Sequence, residues 1–242
     1  MGGLERTITT SDLTRSGALR SRDLELIRVK LVDQGGFVLA PSDTCYSVAM
    51  VPWSKETRDQ INAMLSRPTN WPVSVAFRSI AHAKQHVRMS MAVVSLLEKY
   101  TPGPLTVVCP SNPTGPGRDF AYSAVGSSDA TIGVRIPDSI LERELAGLHA
   151  YGVTSVAVRD QAGHEVRDFV AAMQLIHPDA TLSRKSGWIA IQGDDSGFSA
   201  QHSTVIRVGK SGGLDVLRPG DIAEDDIRAT LDSLPSMAFR YE

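Results

Sequence analysis

The sequence predicts a single α/β domain with a twisted sheet flanked by helices. Short apolar runs bounded by Gly and Pro alternate along the chain with segments whose apolar residues recur at helical spacing. The 242 residues suffice for one large domain, and no internal repeat or long linker divides them. This alternation is typical of a sheet that packs helices against its faces.

Composition and charge are those of an ordinary soluble protein. Hydrophobic residues make up 42% of the chain, and 25 basic against 27 acidic residues give a net charge of −2, which does not favour nucleic-acid binding. No run approaches the ~18 apolar residues of a membrane-spanning helix, and no secretory signal is visible. Cys45 and Cys109 lie far apart and fit no zinc pattern, so we expect reduced thiols and no metal site. We therefore expect a cytoplasmic protein with no membrane partner.

The first half of the chain is organised around one short buried strand. Residues 1–20 are polar and predict an N-terminal arm, either loose or a short edge element. In order, the next predicted elements are a helix over 21–33, strands over 37–40 and 48–51, a helix from 54, a strand over 72–77, helices over 80–100 divided near 90, and a strand over 105–109.

The second half continues the alternation after a long loop. The segment 110–129 is rich in Pro, Gly and Ser, and we expect a surface loop that folds over a ligand. The elements that follow are strands over 131–136, 153–158, 188–191, 203–208 and 216–218 and helices over 139–149, 166–176 and 225–234. The predicted organisation is an arm (1–20), a domain (21–222) and a C-terminal helix and tail (223–242).

A cluster of polar side chains follows the strand at 37–40. Its members are Ser42, Asp43, Thr44 and Tyr46. In open α/β sheets, ligands bind where strands deliver side chains to one edge, so these residues are the first candidates for a pocket. The alternative is a turn in which Pro41 fixes the backbone and Asp43 caps the segment that follows.

Five short motifs occur in order along the chain. They are Pro41-Ser42-Asp43-Thr44-Cys45-Tyr46, Ser66-Arg67-Pro68, Pro102-Gly103-Pro104-Leu105-Thr106, Gly133-Val134-Arg135-Ile136-Pro137, and Ser203-Thr204-Val205 with Leu217-Arg218-Pro219-Gly220. Each is weak alone, but together they resemble the YrdC-like family over about residues 20–222. The resemblance implies a YrdC-like α/β fold, a twisted mixed sheet flanked by helices with a concave ligand-binding face.

The resemblance also implies a reaction. Family members of known chemistry are threonylcarbamoyl-AMP synthases, which join L-threonine, bicarbonate and ATP and release pyrophosphate, for tRNA modification. The expected activity is thus that of a nucleotidyltransferase forming a carbamoyl adenylate, with ATP and Mg²⁺ as cofactors and an amino acid and bicarbonate as partners. The alternative is a non-catalytic protein that binds nucleotide or RNA on the same surface.

Each motif implies roles for particular residues. By resemblance, Arg135 and Thr44 are catalytic, and Thr44, Tyr46 and Ser42 bind the amino acid. The residues expected to bind the nucleotide are Arg67, Ser155, Ser203, Arg218 and Thr106. Arginine suits such positions because it holds a phosphate or carboxylate with two parallel hydrogen bonds. Arg135 or Arg218 could instead pair with an acidic neighbour at the sheet edge.

The sequence departs from the family pattern at four positions. The family lysine, histidine, asparagine and glycine are replaced by Leu65, Ala76, Ala157 and Ser47. Losing cationic and polar contacts to a triphosphate weakens transition-state stabilisation. Three explanations follow: a shifted substrate, a paralogue of the YciO-like branch, or a non-catalytic binder. Arg78 and Arg159 could return positive charge to the cleft, or both could be surface residues.

Overall fold

The computed structural model describes residues 4–52, 55–68, 71–112, 114, 131–176, 187–193, 197–199 and 201–240. The strands are β1 (Leu4–Ile8), β2 (Phe37–Pro41), β3 (Tyr46–Ala49), β4 (Ser74–Ala76), β5 (Leu105–Pro110), β6 (Thr131–Arg135), β7 (Val153–Ala157), β8 (Trp188–Ile191), β9 (Thr204–Val208) and β10 (Leu214–Arg218). The helices are α1 (Ser21–Arg28), α2 (Lys55–Met64), α3 (Ile80–Ala83), α4 (Met91–Tyr100), α5 (Ile140–Gly147), α6 (Phe169–Leu175) and α7 (Glu224–Asp232). The loop expected over 110–129 lies almost wholly outside the described residues.

The strands form one mixed sheet in the order β1-β8-β2-β3-β7-β4-β6-β5-β9-β10. Strands β1 and β2 run parallel to β8, β4 runs parallel to β6, and β5 runs parallel to β9. The other neighbouring pairs are antiparallel. The α/β class and the mixed sheet flanked by helices are thereby confirmed.

The start of the described chain is an edge strand of this sheet. Strand β1 pairs with β8 from Leu4 opposite Trp188 to Ile8 opposite Ile191. The Nη2 atom of Arg6 lies 3.0 Å from Oδ1 of the buried Asp23, which ties β1 to α1. Of the two forms expected for the N-terminal segment, residues 4–8 adopt the edge element. The division into arm, domain and tail stays a prediction.

Side-chain caps fix the start of four helices. The caps are Ser79 for α3, Ser90 for α4, Ser139 for α5 and Asp168 for α6, and each accepts a hydrogen bond from a backbone N–H in the first turn. At helix α1, Ser21 is the first helical residue, and the residue at the cap position, Arg20, makes no side-chain capping hydrogen bond. A π-helical turn, Val29–Asp33, then carries the chain towards β2.

Two hydrophobic clusters hold the helices against the sheet. Helices α2, α4 and α7 contribute buried residues to the larger cluster, and α1 and α5 contribute to the smaller one. Strand β2 is buried along its whole length, as its apolar run predicts. None of the described helices is long and apolar enough to cross a membrane.

Candidate functional site

The middle strands of the sheet open into a cleft of about 1070 Å³. Side chains alternate between the two faces of a strand, and most of those that β3, β4, β5, β6 and β7 place on the cleft face are small. The small residues of this floor are Ser47, Ser74, Thr106, Thr131, Gly133, Ser155 and Ala157. A Cβ at Gly133 would lie 3.2 Å from Oγ of Ser74, so the floor is already closely packed there. Small floor residues leave room for a ligand above the sheet.

The inner end of the cleft is built around Arg135, the last residue of β6. Its Nη2 donates to Oδ1 of Asp43, to Oγ of Ser42 at 3.1 Å and to Oγ1 of Thr44 at 3.3 Å. The other carboxylate oxygen of Asp43 accepts the backbone N–H of Asp138 at 3.0 Å. The loop after β2 therefore delivers one carboxylate and two hydroxyls to a single guanidinium group.

Arg135 and Asp43 form a buried, charged pair. Burial acts to raise the pKa of Asp43, but the charge of Arg135 and the Asp138 N–H lower this pKa below its usual value. Burial acts to lower the pKa of Arg135, and the charges of Asp43 and Glu142, with the hydrogen bond to Asp43, help to raise it above its usual value. Asp43 thus positions Arg135, which is a different role from the turn cap considered as the alternative.

A second carboxyl group, that of Glu142 on α5, lies behind this pair. Glu142 is 1% exposed, the Ser42 and Ser155 hydroxyls lie near its carboxyl group, and neither carboxyl oxygen makes a well-formed hydrogen bond among the described residues. Burial raises the pKa of Glu142, Arg135 opposes this rise, and Asp43 adds to it. The spacing Ser139-x-x-Glu142 is that of a capping box, yet the glutamate side chain faces the charged pair instead.

The outer end of the cleft carries an excess of positive charge. The arginines that line it are Arg67, Arg159, Arg207 and Arg218. Arg218 donates to the Ser203 carbonyl through Nε at 3.1 Å and Nη2 at 2.8 Å, and Nη2 also lies 2.6 Å from the Ser203 hydroxyl. Burial, followed by the charges of Arg159 and Arg218, lowers the pKa of Arg67 to about 10. These guanidinium groups therefore lie close enough to repel one another.

Residues 30–220 match the family described as Telomere recombination, the Sua5/YciO/YrdC family. The chain belongs to this family. The match covers most of the chain, which confirms the resemblance to the YrdC-like proteins that the ordered motifs indicate.

Solved structures share the fold of this Sua5/YciO/YrdC domain. P. abyssi Sua5 complexed with L-threonine superposes with a TM-score of 0.71 at 18% identity, over 93% of this chain and 60% of that one. E. coli YciO gives a TM-score of 0.68 at 17% identity, over 90% and 96% of the two chains. An uncharacterised protein of Haemophilus influenzae is 23% identical over 117 residues, which is 48% of this chain and 54% of that protein. The chain thus spans little more than half of this curated relative.

The cleft of this family member brings together eight of the nine residues to which the resemblance assigns a role. They are Ser42, Thr44, Arg67, Thr106, Arg135, Ser155, Ser203 and Arg218. Tyr46 lies in the core instead, where its hydroxyl accepts the Gly193 N–H at 3.1 Å and its ring contacts Phe169 and Phe198. Strand alternation explains this, because Ser47 faces the cleft and its neighbour Tyr46 must face the other way.

The departures from the family pattern fall at different places. Leu65 and Ala157 both line the cleft, whereas Ala76 is buried in the smaller hydrophobic cluster. Of the two arginines considered as replacements, Arg159 lines the cleft. Arg78 packs instead beside Gly147 at the end of α5, so it is not a residue of the cleft wall.

Several residues of the site are not evident from the sequence. Arg207 follows the alternation of β9, whose residues Val205 and Arg207 face the cleft, and this pattern could have identified it. Glu142 and Glu165 carry no local signal, because their importance comes from contacts with distant parts of the chain. The indole of Trp71, 53% exposed at the cleft mouth and 5.6 Å from the Arg67 guanidinium carbon, was likewise missed.

Proposed function

We propose that the chain forms a carbamoyl adenylate from ATP, bicarbonate and an amine, with L-threonine as the first amine to test. The observation that carries this proposal is the presence of two cationic centres in one cleft, Arg135 at the inner end and the arginine group at the outer end. Adenylation of a carbamate needs both, because one cation must orient the carbamate and others must stabilise the departing pyrophosphate. The L-threonine bound by P. abyssi Sua5, a protein of the same fold, supports this choice of amine.

The proposed reaction has two bond-forming steps. The amine nitrogen bonds to the carbon of bicarbonate, and loss of water gives a carbamate. A carbamate oxygen then attacks the α-phosphorus of ATP, and the bond from that phosphorus to the bridging oxygen of the β-phosphate breaks, so that pyrophosphate leaves. Arg135 and Thr44 would orient the carbamate, while Arg67 and Arg218 would stabilise the charge that develops on pyrophosphate.

The hydroxyl groups of the cleft would position the two organic substrates. Ser42 and Thr44, held beside Arg135, would bind the carboxylate of the amino acid. The nucleotide would contact Thr106, Ser155 and Ser203, and the Thr106 and Ser203 hydroxyls already lie 3.3 Å apart. A fixed hydroxyl pair orients a ribose or phosphate oxygen without reorganisation during the reaction.

A magnesium ion would enter this site with the nucleotide. The described residues contain no group of three or more His, Cys, Asp or Glu side chains able to hold a metal. Magnesium is commonly held by substrate phosphates with one or two carboxylates, and Asp160 lines the cleft. The site therefore suits a metal that neutralises phosphate charge, and the Asp160 carboxylate would complete its ligands.

A second candidate function is binding of nucleotide or RNA without turnover. It is favoured by the apolar Leu65 and Ala157 in the cleft wall and by the neutralisation of Arg135 by Asp43. A non-catalytic cleft must bind phosphates, but it does not need a cation that is free to bind the carbamate. The two candidates differ in whether ATP is consumed.

The test is pyrophosphate release from ATP, magnesium and bicarbonate, with and without L-threonine, while products are followed by mass spectrometry. We expect threonine-dependent release and a product with the mass of threonylcarbamoyl-AMP. Arg135→Lys keeps a charge opposite Asp43 but loses the planar fork, and should slow release by roughly 100-fold. Arg228→Lys, the same change on the exposed face of α7, is the matched control and should leave the rate unchanged.

Two results would contradict the proposed activity. One is ATP binding without pyrophosphate release for threonine or any other amine tested, which would favour the non-catalytic candidate. The other is an Arg135→Lys variant that turns over at the rate of the wild type, which would remove Arg135 from the reaction. Arg135→Ala is a poorer test than Arg135→Lys, because it leaves the buried Asp43 carboxylate without a counter-ion.

A further inference from the structure

Two of the arginines at the outer end of the cleft, Arg159 and Arg218, share one buried carboxylate, that of Glu165. The Oε1 atom of Glu165 lies 2.8 Å from Nη2 of Arg159 and 4.0 Å from Nη1 of Arg218. The glutamate side chain is only 6% exposed, and its Oε2 atom has no hydrogen-bond partner in the described part of the chain. Arg67 is near enough to Arg159 and Arg218 for their charges, after burial, to lower its pKa, so this single carboxylate leaves the three guanidinium groups with an excess of positive charge.

A hairpin that extends β7 fixes Arg159 at the cleft edge. Its strands are joined by the hydrogen bond from the Val166 N–H to the Val158 carbonyl at 3.0 Å, and its turn contains Gly163 at φ +87°. Backbone hydrogen bonds of 2.9 Å join both strands of the hairpin to Tyr46 of β3. The Arg159 guanidinium also donates through Nη1 to the Gly163 carbonyl at 2.9 Å. The position of Arg159 is thus fixed by backbone hydrogen bonds to the sheet.

The electrostatics of the group match an anionic ligand with several charged oxygens. The charge of Arg159 lowers the pKa of both Arg67 and Arg218, after the larger effect of burial on each. Repulsion of this kind is relieved when an anion enters between the guanidinium groups. One oxygen of the Glu165 carboxylate, Oε1, faces both Arg159 and Arg218, as a phosphate oxygen would.

We propose that Arg159 completes, with Arg67 and Arg218, a site for an oligophosphate chain, and that Glu165 is the internal counter-ion which the phosphate displaces. The inference rests on the proposed function. The three arginines would hold the phosphates of the nucleotide, in a cleft wall where Leu65 stands in place of the family lysine. When the oligophosphate binds, it replaces the Glu165 carboxylate as the partner of Arg159 and Arg218, and it carries more negative charge than that carboxylate. Arg159 sets the affinity for phosphate, and Glu165 limits it.

The test uses calorimetric titration of the full chain with inorganic tripolyphosphate in the absence of magnesium. Arg159→Gln should weaken binding by at least roughly tenfold, the value expected for the loss of a charge-assisted hydrogen bond. Glu165→Gln should tighten binding, because Arg159 and Arg218 no longer have a competing carboxylate. The matched control is Arg228→Gln, which removes an arginine from an exposed pair with Glu224 and should not alter the affinity.

A rescue variant separates missing charge from altered structure. Leu65 lines the same cleft, so Leu65→Lys introduced into the Arg159→Gln protein should recover most of the lost affinity. Arg159→Lys keeps the charge and should lose less affinity than Arg159→Gln. If Arg159→Gln fails to fold, as judged by its thermal unfolding, the Arg159→Lys and Glu165→Gln proteins carry the test.

Three outcomes would overturn the inference. They are a wild-type protein that does not bind tripolyphosphate, a folded Arg159→Gln variant with wild-type affinity, and a Glu165→Gln variant that binds more weakly than the wild type. Failure of the proposed function looks different. Tripolyphosphate binding with the expected changes, but no pyrophosphate release from ATP, would leave this site assigned and remove only the adenylation reaction.

Discussion

The two ends of the cleft differ in how far the charge of their arginines is balanced by nearby carboxylates. At the inner end, Arg135 is buried and matched by Asp43, with the Ser42 and Thr44 hydroxyls around it. At the outer end, burial and neighbouring arginines lower the pKa of Arg67, and Glu165 is shared between two guanidinium groups. A matched charge stabilises the fold and holds a fixed geometry, whereas unmatched charges of one sign reduce stability and remain available to a ligand.

Among substitutions that test this difference between the two ends, Asp43→Asn should have the largest effect on stability. The substitution keeps the size of the side chain but leaves Arg135 buried without a counter-ion, so we expect a loss of roughly 3–5 kcal/mol in the free energy of unfolding. Urea denaturation of both proteins measures it. Asp138→Asn is the control, because that side chain is 69% exposed and its removal should change stability by less than about 0.5 kcal/mol.

The pH dependence of unfolding provides a second measurement of the same pair. Because the folded protein lowers the pKa of Asp43, the unfolded chain binds more protons than the folded one below the ordinary aspartate pKa of about 3.9. The stability due to Asp43 is therefore complete above that pH and is lost as the pH falls through the lowered pKa. Asp43→Asn should lack this part of the profile. An unchanged profile would mean that the folded protein does not lower the pKa of Asp43.

Glu142→Gln tests the buried carboxyl group at the inner end that has no cation of its own. Its effect on the free energy of unfolding should be smaller than that of Asp43→Asn and of opposite sign. The folded protein raises the pKa of Glu142, so stability falls as the pH rises above the ordinary glutamate pKa of about 4.3 and the unfolded chain ionises. The variant should gain roughly 1 kcal/mol at neutral pH, since no carboxyl must stay protonated or charged in the core. Glu98→Gln, an exposed position on α4, is the control. A loss of stability would show that Glu142 helps Asp43 to balance Arg135.

The sequence predicts more of the fold than of the electrostatics of the site. The buried strand expected over 37–40 appears as Phe37–Pro41, and the helical region over 80–100 divides at Ser90, which caps α4. Both follow from local patterns, namely an apolar run bounded by Gly and Pro and a serine before a helical period. Local patterns also fix which residues of a strand share a face.

Long-range contacts account for what the sequence leaves out. Glu165 approaches Arg218, and Glu142 lies behind Arg135, only because the folded chain brings together elements that are distant in sequence. No periodicity within a single element records such a neighbour. Tyr46 is a different case, since the alternation in β3 already assigns it to the face opposite Ser47. The motif order locates the cleft, and the sheet topology determines which charges in it are matched.

The smallest effect should come from Arg67→Gln at the outer end. Its Nη2 donates to the Pro72 carbonyl at 3.3 Å, a weak contact, and removal of the charge relieves repulsion from Arg159 and Arg218. These terms oppose each other, so the free energy of unfolding should change by no more than about 0.5 kcal/mol in urea denaturation. Arg135→Gln, the same substitution at the inner end, is the matched comparison. It should lose several times more free energy of unfolding, because it leaves the buried Asp43 carboxylate without a counter-ion. A loss above roughly 1.5 kcal/mol for Arg67→Gln would mean that its contacts with Pro72 and the Trp71 ring hold the end of α2, and that the outer arginines stabilise the fold as the inner one does.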